Sequence, residues 1–251
     1  MGNSLKQGFS LPLEQQAIRD KCFHPSGTFV EFPMGDVEAS IPERFAKIVR
    51  QDPSQLAIKG ERYRWSYREV DDAANRIARA VLAIPVDEAV AVGLICDNDA
   101  PLVAGMIGIL KAGKAVLLLD PTLPKDRIAS MLNEAEARLV VCDSNNVDFA
   151  QDVTNDRCRL IEYNSLNHDN SAAESGADVR PDDIAFIFYT SGSTGIPKGV
   201  VHHHRTMLHN VMLRTNSGQI CAHDRIALPR SGTSAAIANL LTAILNGATL
   251  Y

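Results

Sequence analysis

The runs VAVGLIC at Val90–Cys96, LVAGMIGILK at Leu102–Lys111, VLLL at Val116–Leu119, KDRIASMLNEA at Lys125–Ala135 and LVVC at Leu139–Cys142 decide the fold. The short runs are nearly continuous in Val, Ile, Leu and Ala, the composition of a strand buried on both faces. Between them lie segments of helical length. This alternation predicts right-handed βαβ units around mostly parallel sheets with flanking helices, an α/β fold in layers.

Working outward from that centre, Ser40-Ile41-Pro42-Glu43 has capping-box spacing with proline in the first turn, and Phe45, Ile48 and Val49 supply an apolar face, so a helix should run to about Gln51. From Glu69, the apolar residues Val70, Ala73, Ala74, Ile77, Val81 and Leu82 recur at helical steps with Asp71, Asp72, Arg76 and Arg79 between them, an amphipathic helix. Residues 1 to about 40 lack a period and are expected to be a lead-in on the surface, with 41–251 forming one incomplete domain. Asn145 to Pro181 is polar and poorly periodic, a surface crossing with one short strand at Arg159–Glu162. No internal repeat is found.

The chain has 251 residues and a formal net charge of -5 with both signs mixed along it, which leaves no basic stripe for nucleic acid or an anionic membrane. Its longest apolar stretches, Pro101–Leu110 and Ala115–Leu119, are too short to span a bilayer, and no charged-then-apolar leader opens it. Cys22, Cys96, Cys142, Cys158 and Cys221 are odd in number and include no C-x-x-C pair, the usage of a reducing compartment. A cytoplasmic protein with structural thiols is the expectation.

The chemistry is concentrated in IAFIFYTSGSTGIPKGVV, Ile184–Val201. An apolar strand enters a loop of glycines and hydroxyls that ends in Lys198 and a second strand. Glycines let several amide N–H groups converge, hydroxyls add donors, and Lys198 supplies a mobile point charge, which together suit a polyphosphate. Composition alone also fits a solvated hairpin loop. The spacing disfavours two commoner nucleotide motifs. A Walker loop needs G-x-x-x-x-G-K before Ser or Thr, whereas Gly192, Gly195 and Lys198 fall three apart with Pro197 before the lysine and Gly199 after it. The dinucleotide fingerprint fails because its first close glycine pair is absent.

Over twelve consecutive positions this loop resembles Y-T-S-G-S-T-G-x-P-K-G-V, the signature of the adenylate-forming superfamily: acyl-CoA synthetases, luciferases and the adenylation domains of nonribosomal peptide synthetases. Two more segments resemble the family in the right order. Trp65-Ser66-Tyr67-Arg68-Glu69-Val70 is similar to L-[ST]-Y-x-E-L, and Leu110–Gly113 through Leu119-Asp120-Pro121, with Pro124 and Arg127, is similar to L-K-A-G-x-x-Y-V-P-L-D-P-x-x-P-x-x-R, with Val116 and Leu118 replacing Tyr and Pro. Both look most like peptide-synthetase adenylation domains. The resemblance covers about residues 37 to 251.

It implies an ATP- and magnesium-dependent ligase that joins a carboxylic acid to AMP, releases pyrophosphate and passes the acyl group to the thiol of CoA or a phosphopantetheine carrier protein. Carried over by position, it makes Lys198 and Thr194 catalytic, and Thr190, Ser191, Gly192, Ser193, Thr194, Gly195 and Lys198 the binders of the ATP phosphates. His204 falls on the histidine of P-K-G-V-x-x-x-H-R and joins them as a candidate, with a packing role the alternative. No metal-binding residues are implied. On a strand, only His202 and His204 of the His202-His203-His204 run would share a face, too few ligands for a metal. Asp97, Asn98 and Asp99 sit where a strand ends, a common ligand position, although a helix N-cap before Pro101 explains them more simply.

The sequence departs from the family further on. Aligning Asn246–Tyr251 on the family's closing N-G-A-T-L-Y places Thr233 and Ser234, the candidate acid-pocket residues, at the aromatic and acidic positions of F-D-x-S. That aspartate anchors an α-amino group in the family, so its absence weakens an amino-acid reading. The motifs for adenine, ribose, hinge and second catalytic lysine would lie beyond Tyr251. The expectation is therefore an N-terminal fragment that alone binds ATP weakly, turns nothing over and exposes an unpaired sheet edge at Leu250-Tyr251. A catalytically incompetent AMP-binding module serving interaction or folding is the rival from a different class.

Overall fold

The computed structural model describes residues 12–15, 29–85, 91–154, 158–166, 176–190, 198–228 and 234–251. Helix α1 (Ile41–Gln51) starts on the expected capping box: Ser40 Oγ accepts the Glu43 N–H at 3.3 Å and the Glu43 carboxylate accepts the Ser40 N–H at 2.6 Å. Strands β1 (Leu56–Lys59) and β2 (Arg64–Ser66) form an antiparallel hairpin too short to show a period in sequence. Helix α2 (Tyr67–Ala83) begins at Tyr67, before the first periodic residue, because Ser66 and Glu69 make a second capping box.

The βαβ series follows as expected: β3 (Ala91–Ile95), α3 (Ala100–Lys111), β4 (Ala115–Leu118), α4 (Lys125–Glu134), β5 (Leu139–Cys142), α5 (Val147–Thr154) and β6 (Arg159–Glu162). Then come β7 (Ile184–Thr190), β8 (Lys198–His203), α6 (His204–Gly218), β9 (Arg225–Ile226), α7 (Ser234–Ile244) and β10 (Thr249–Leu250). The main sheet has six strands in the order β6-β5-β3-β4-β7-β8, parallel except for the β7/β8 pair. A second sheet has the order β2-β1-β10-β9.

Strand residues alternate between two cores. Leu94, Val116 and Phe186 from the main sheet join Ile58 and Leu250 from the second sheet, with Ile77 of α2, Ile107 of α3 and Leu240 of α7 packed among them. The opposite face of the main sheet holds Ile95, Leu117 and Val140 against Ile128 and Leu132 of α4 and Val153 of α5. Helix α3 is buried from Ala100 through Leu110, which explains why its apolar residues show no stripe. It packs so closely on α2 that a Cβ at Gly108 would lie 2.7 Å from the Ala74 carbonyl oxygen. Gly113 turns the chain into β4 with φ +68, a conformation that glycine adopts without steric cost.

Three expectations are corrected. The lead-in is not confined to the surface: Phe32 and Val37 are buried, Phe32 exchanges backbone bonds with the Asn216 amide at 2.8 and 3.0 Å, and the Arg44 guanidinium lies 4.1 Å over its ring. Within the polar crossing, Val147–Thr154 is helical and buries Ala150 and Val153, one turn apart. Its apolar face is only two or three residues wide and is masked by surrounding Asn and Asp. Finally, β10 is an interior strand rather than an exposed edge. Leu250 pairs with Ile58 on one side and Ile226 on the other and is fully buried.

Candidate functional site

Strand β7 ends at Thr190 and β8 opens at Lys198, and these two residues pair across the antiparallel ladder. The strand pair therefore closes the base of the hydroxyl-rich segment and fixes the backbone from which the Lys198 side chain extends. Ser191, Gly192, Ser193, Thr194 and Gly195 lie outside the described residues, as does Thr233. Strand β4 runs parallel to β7 with Leu117 opposite Ile187, so the chain leaves both strands at one sheet edge.

That edge carries a crevice with a topological cause. Strand β3 leads into α3, in the core between the sheets, while its neighbour β4 leads into α4, on the other face. Where adjacent parallel strands send their connections to opposite faces, a gap opens outside their carboxyl ends, the common ligand position of open α/β sheets. A cavity of about 620 Å³ occupies this gap, with Cys96, Asp97 and Asp99 following β3, Leu118 at the end of β4 and Asp120 following it, and Leu240 of α7 among its walls.

Its polar groups are largely committed. Asp99 caps α3 by accepting the Ala100 N–H at 2.8 Å and also accepts the Arg62 N–H at 3.0 Å. Asp97 accepts from Arg62 at 2.6 Å, Asn145 at 2.7 Å and Asn146 at 2.9 Å. Partial burial works to raise its carboxyl pKa, but these bonds win and hold it below the ordinary value. Burial, and then the nearby Asp143, pushes the Cys96 thiol well above its usual value, so it is protonated at neutral pH. The N-cap reading of the Asp97–Asp99 cluster is thus the one realised, at the rim of the crevice.

His204 does not join Lys198. The strand ends at His203, and His204 is the first residue of α6, at the opposite end of β8 from the lysine, roughly 20 Å away along an extended strand. It is 1% exposed, and its Nδ1 accepts the Ile41 N–H at 3.2 Å, tying α6 to α1. The packing alternative holds for this residue. The premise that His202 and His204 share a strand face is likewise corrected. His202 packs edge-on against Phe188 with ring centroids 5.3 Å apart, and His203 Nδ1 lies 2.7 Å from the Asp182 carbonyl oxygen. Among the described residues, no cluster of three or more His, Cys, Asp or Glu is arranged to hold a metal ion.

Ser234 opens α7 and is half-buried. Ser234 is not among the residues lining the crevice, but Ile237, one turn further along on the same side of the helix, and Leu240 are, so Ser234 stands next to that wall. Sequence reasoning missed the crevice because the strand order that creates it is a tertiary fact. It also gave no role to Tyr189, the first residue of the twelve-position match, whose hydroxyl donates to the Met131 carbonyl of α4 at 3.4 Å.

Helices on both faces of a mostly parallel sheet, with a glycine- and hydroxyl-rich segment leaving the same edge as a switch-point crevice, define a doubly wound α/β domain. The family model described as AMP-binding enzyme matches residues 45–251, and the chain belongs to that family. It is 33% identical over 230 residues to tyrocidine synthase 3 of Brevibacillus parabrevis, a match that covers 90% of this chain and 3% of that protein. It is 31% identical over 227 residues to gramicidin S synthase 2 of Brevibacillus brevis, covering 88% of this chain and 5% of that one. The chain thus spans about 5% or less of the length of these curated relatives. Among solved structures, it resembles the nonribosomal peptide synthetase FmoA3 in its alpha-methyl-L-serine-AMP bound form, with a TM-score of 0.76 and 27% identity over 85% of this chain and 24% of that one. VinN in complex with 3-methylaspartate shares the fold at the same TM-score of 0.76 and 22% identity, covering 85% of this chain and 61% of that one.

Proposed function

We propose that the intact protein activates a carboxylic acid by adenylation, as the family's chemistry would have it. An oxygen of the acid attacks the α-phosphorus of ATP, the new acyl–phosphate bond forms as the bond to the β-phosphate breaks, and pyrophosphate leaves. The acyl group then passes to a thiol, on CoA or a phosphopantetheine carrier protein. The observation that carries this reading is the Thr190–Lys198 pair, which closes the base of a segment rich in glycine and hydroxyl residues at the sheet edge where a switch-point crevice opens.

The donor set suits the triphosphate. Lys198 is exposed at the first position of β8, and the sequence between it and Thr190 supplies Ser191, Gly192, Ser193, Thr194 and Gly195. In this reading Thr190 to Gly195 embrace the phosphates, while Lys198 and Thr194 stabilise the charge that grows on the departing pyrophosphate, the point at which fixed donors lower a barrier most. Magnesium would arrive on the phosphates and neutralise part of the same charge. His204 acts at a distance by anchoring α6 to α1. The acid pocket would begin at Thr233 and Ser234. Among the described residues, no helix is long and apolar enough to cross a membrane, which leaves a small-molecule role unhindered.

Acid-dependent exchange of labelled pyrophosphate into ATP by the intact protein tests the reading. Exchange with at least one acid from a broad panel is expected, and none with any acid would favour the non-catalytic interaction module.

A further inference from the structure

Tyr189 occupies a position that the adenylation reading does not use. It is the penultimate residue of β7, one before the closing pair, and stands directly opposite Gly199 on β8. Its side chain turns to the face of the sheet covered by α4, among the apolar groups packed on that core. There the hydroxyl reaches the Met131 carbonyl oxygen at 3.4 Å and is within bonding reach of the Glu134 carboxylate, both in the last turns of α4. The ring also spans the ladder: a Cβ built on Gly199 would lie 3.5 Å from the ring carbon bearing the hydroxyl and 3.6 Å from the hydroxyl oxygen. Because position 199 has no side chain, the ring rests against β8 as well as belonging to β7.

We propose that Tyr189 is a positioning residue for the phosphate-binding segment, fastening both of its stems to α4. This rests on the adenylation reading for its functional consequence. One side chain acts on both ends of residues 191–197: through its own backbone it fixes the exit of β7, and through ring contact with Gly199 it fixes the entry of β8 and so the origin of Lys198. The α4 end of the tether is rigid, since Ile128, Met131 and Leu132 are buried against the main sheet. Burial, reinforced by the negative Glu134, raises the phenol pKa to about 12, so the hydroxyl remains a donor through the working pH range.

The consequence separates nucleotide from acid. A loosened stem spreads the donors aimed at the triphosphate and leaves the acid pocket on α7 untouched. Loss of one such hydrogen bond corresponds to roughly a 3–10-fold change. The experiment compares wild type, Tyr189→Phe and Glu134→Gln in the intact protein by steady-state pyrophosphate exchange, thermal unfolding and amide hydrogen exchange. Expected are KM for ATP raised roughly 3–10-fold in both variants, KM for the acid unchanged, and Tm within roughly 4 °C of wild type. Unchanged KM for ATP in both variants, or equal rises for ATP and acid accompanied by a larger fall in Tm, would overturn the proposal. If the wild type itself shows no exchange, the adenylation reading fails alone, and the tether is judged by hydrogen exchange. Faster exchange confined to residues 189–199 in Tyr189→Phe supports it, and identical exchange in that segment refutes it.

Discussion

His204 Nδ1 accepts the backbone N–H of Ile41 at 3.2 Å, joining the first residue of α6 to the first residue of α1 across the buried core. Only the unprotonated nitrogen can accept this bond. Burial lowers the imidazole pKa from 6.5 to about 4, against the opposing pull of Asp183 and Glu43 and with a small assisting effect of His203. A depressed folded-state pKa means that the unfolded chain takes up the proton first as pH falls. The stabilisation is therefore complete above pH 6.5 and is lost progressively as pH falls through about 4, amounting to roughly 3 kcal/mol. Urea midpoints measured between pH 7.5 and 4 should fall in wild type and fall less steeply in His204→Asn. Parallel slopes for the two proteins would remove His204 as the cause.

Lys198→Ala should reduce acid-dependent pyrophosphate exchange by ~10-fold or more, because a charge-assisted contact to the leaving group is lost. Lys198 is exposed at the start of an edge strand, so the substitution should leave the melting temperature nearly unchanged. Unchanged exchange in a Lys198→Ala, Thr194→Ala double variant would remove the segment from the chemistry.

Ser66→Ala should destabilise the domain by about 1 kcal/mol. The hydroxyl accepts the Glu69 N–H at 3.3 Å and donates to the Glu69 carboxylate at 2.7 Å, while that carboxylate accepts the Ser66 N–H at 2.7 Å. The box starts a helix whose face from Tyr67 to Val81 is buried, so fraying at Ser66 reaches the core. Chemical denaturation should show the loss with an unchanged m-value.

The parts of this molecule legible in the sequence are those set by local pattern. The run at Leu139–Cys142 is a strand with the expected bounds, since β-branched residues between turn signals leave few alternatives, and Arg159–Glu162, with Ile161 its one β-branched residue, is a strand with the expected bounds as well. The S-x-x-E spacing gave the start of α1, and the same spacing at Ser66–Glu69 carried an equal signal that the apolar period, beginning later, obscured. Strand order carries no such mark. The position of β3 between β4 and β5, which creates the crevice, follows from how the crossovers pack. The burial of Phe32 depends on Asn216 and Arg44, residues far from it in sequence. His204 shows the limit of position-by-position transfer from a motif. Alignment placed it beside the phosphate segment in role, and the length of β8 separates it from Lys198 in space.

The substrate acid should lack an α-ammonium group. Ser234 is neutral and opens α7, where the unpaired N–H groups of a helix start present partial positive charge that disfavours a cation. An ammonium seated there without a carboxylate would be unpaired at a cost of several kcal/mol. Exchange assays over matched pairs of acids, each with its α-amino and α-hydroxy or α-unsubstituted form, should rank the amino form last. Ser234→Asp supplies the missing carboxylate at a position where an acidic residue also favours the helix, so this variant should fold and should move the preference toward α-amino acids. A wild-type preference for a standard α-amino acid would mean that another carboxylate serves as the anchor. A Ser234→Asp variant with unaltered ranking would place the acid pocket away from the start of α7.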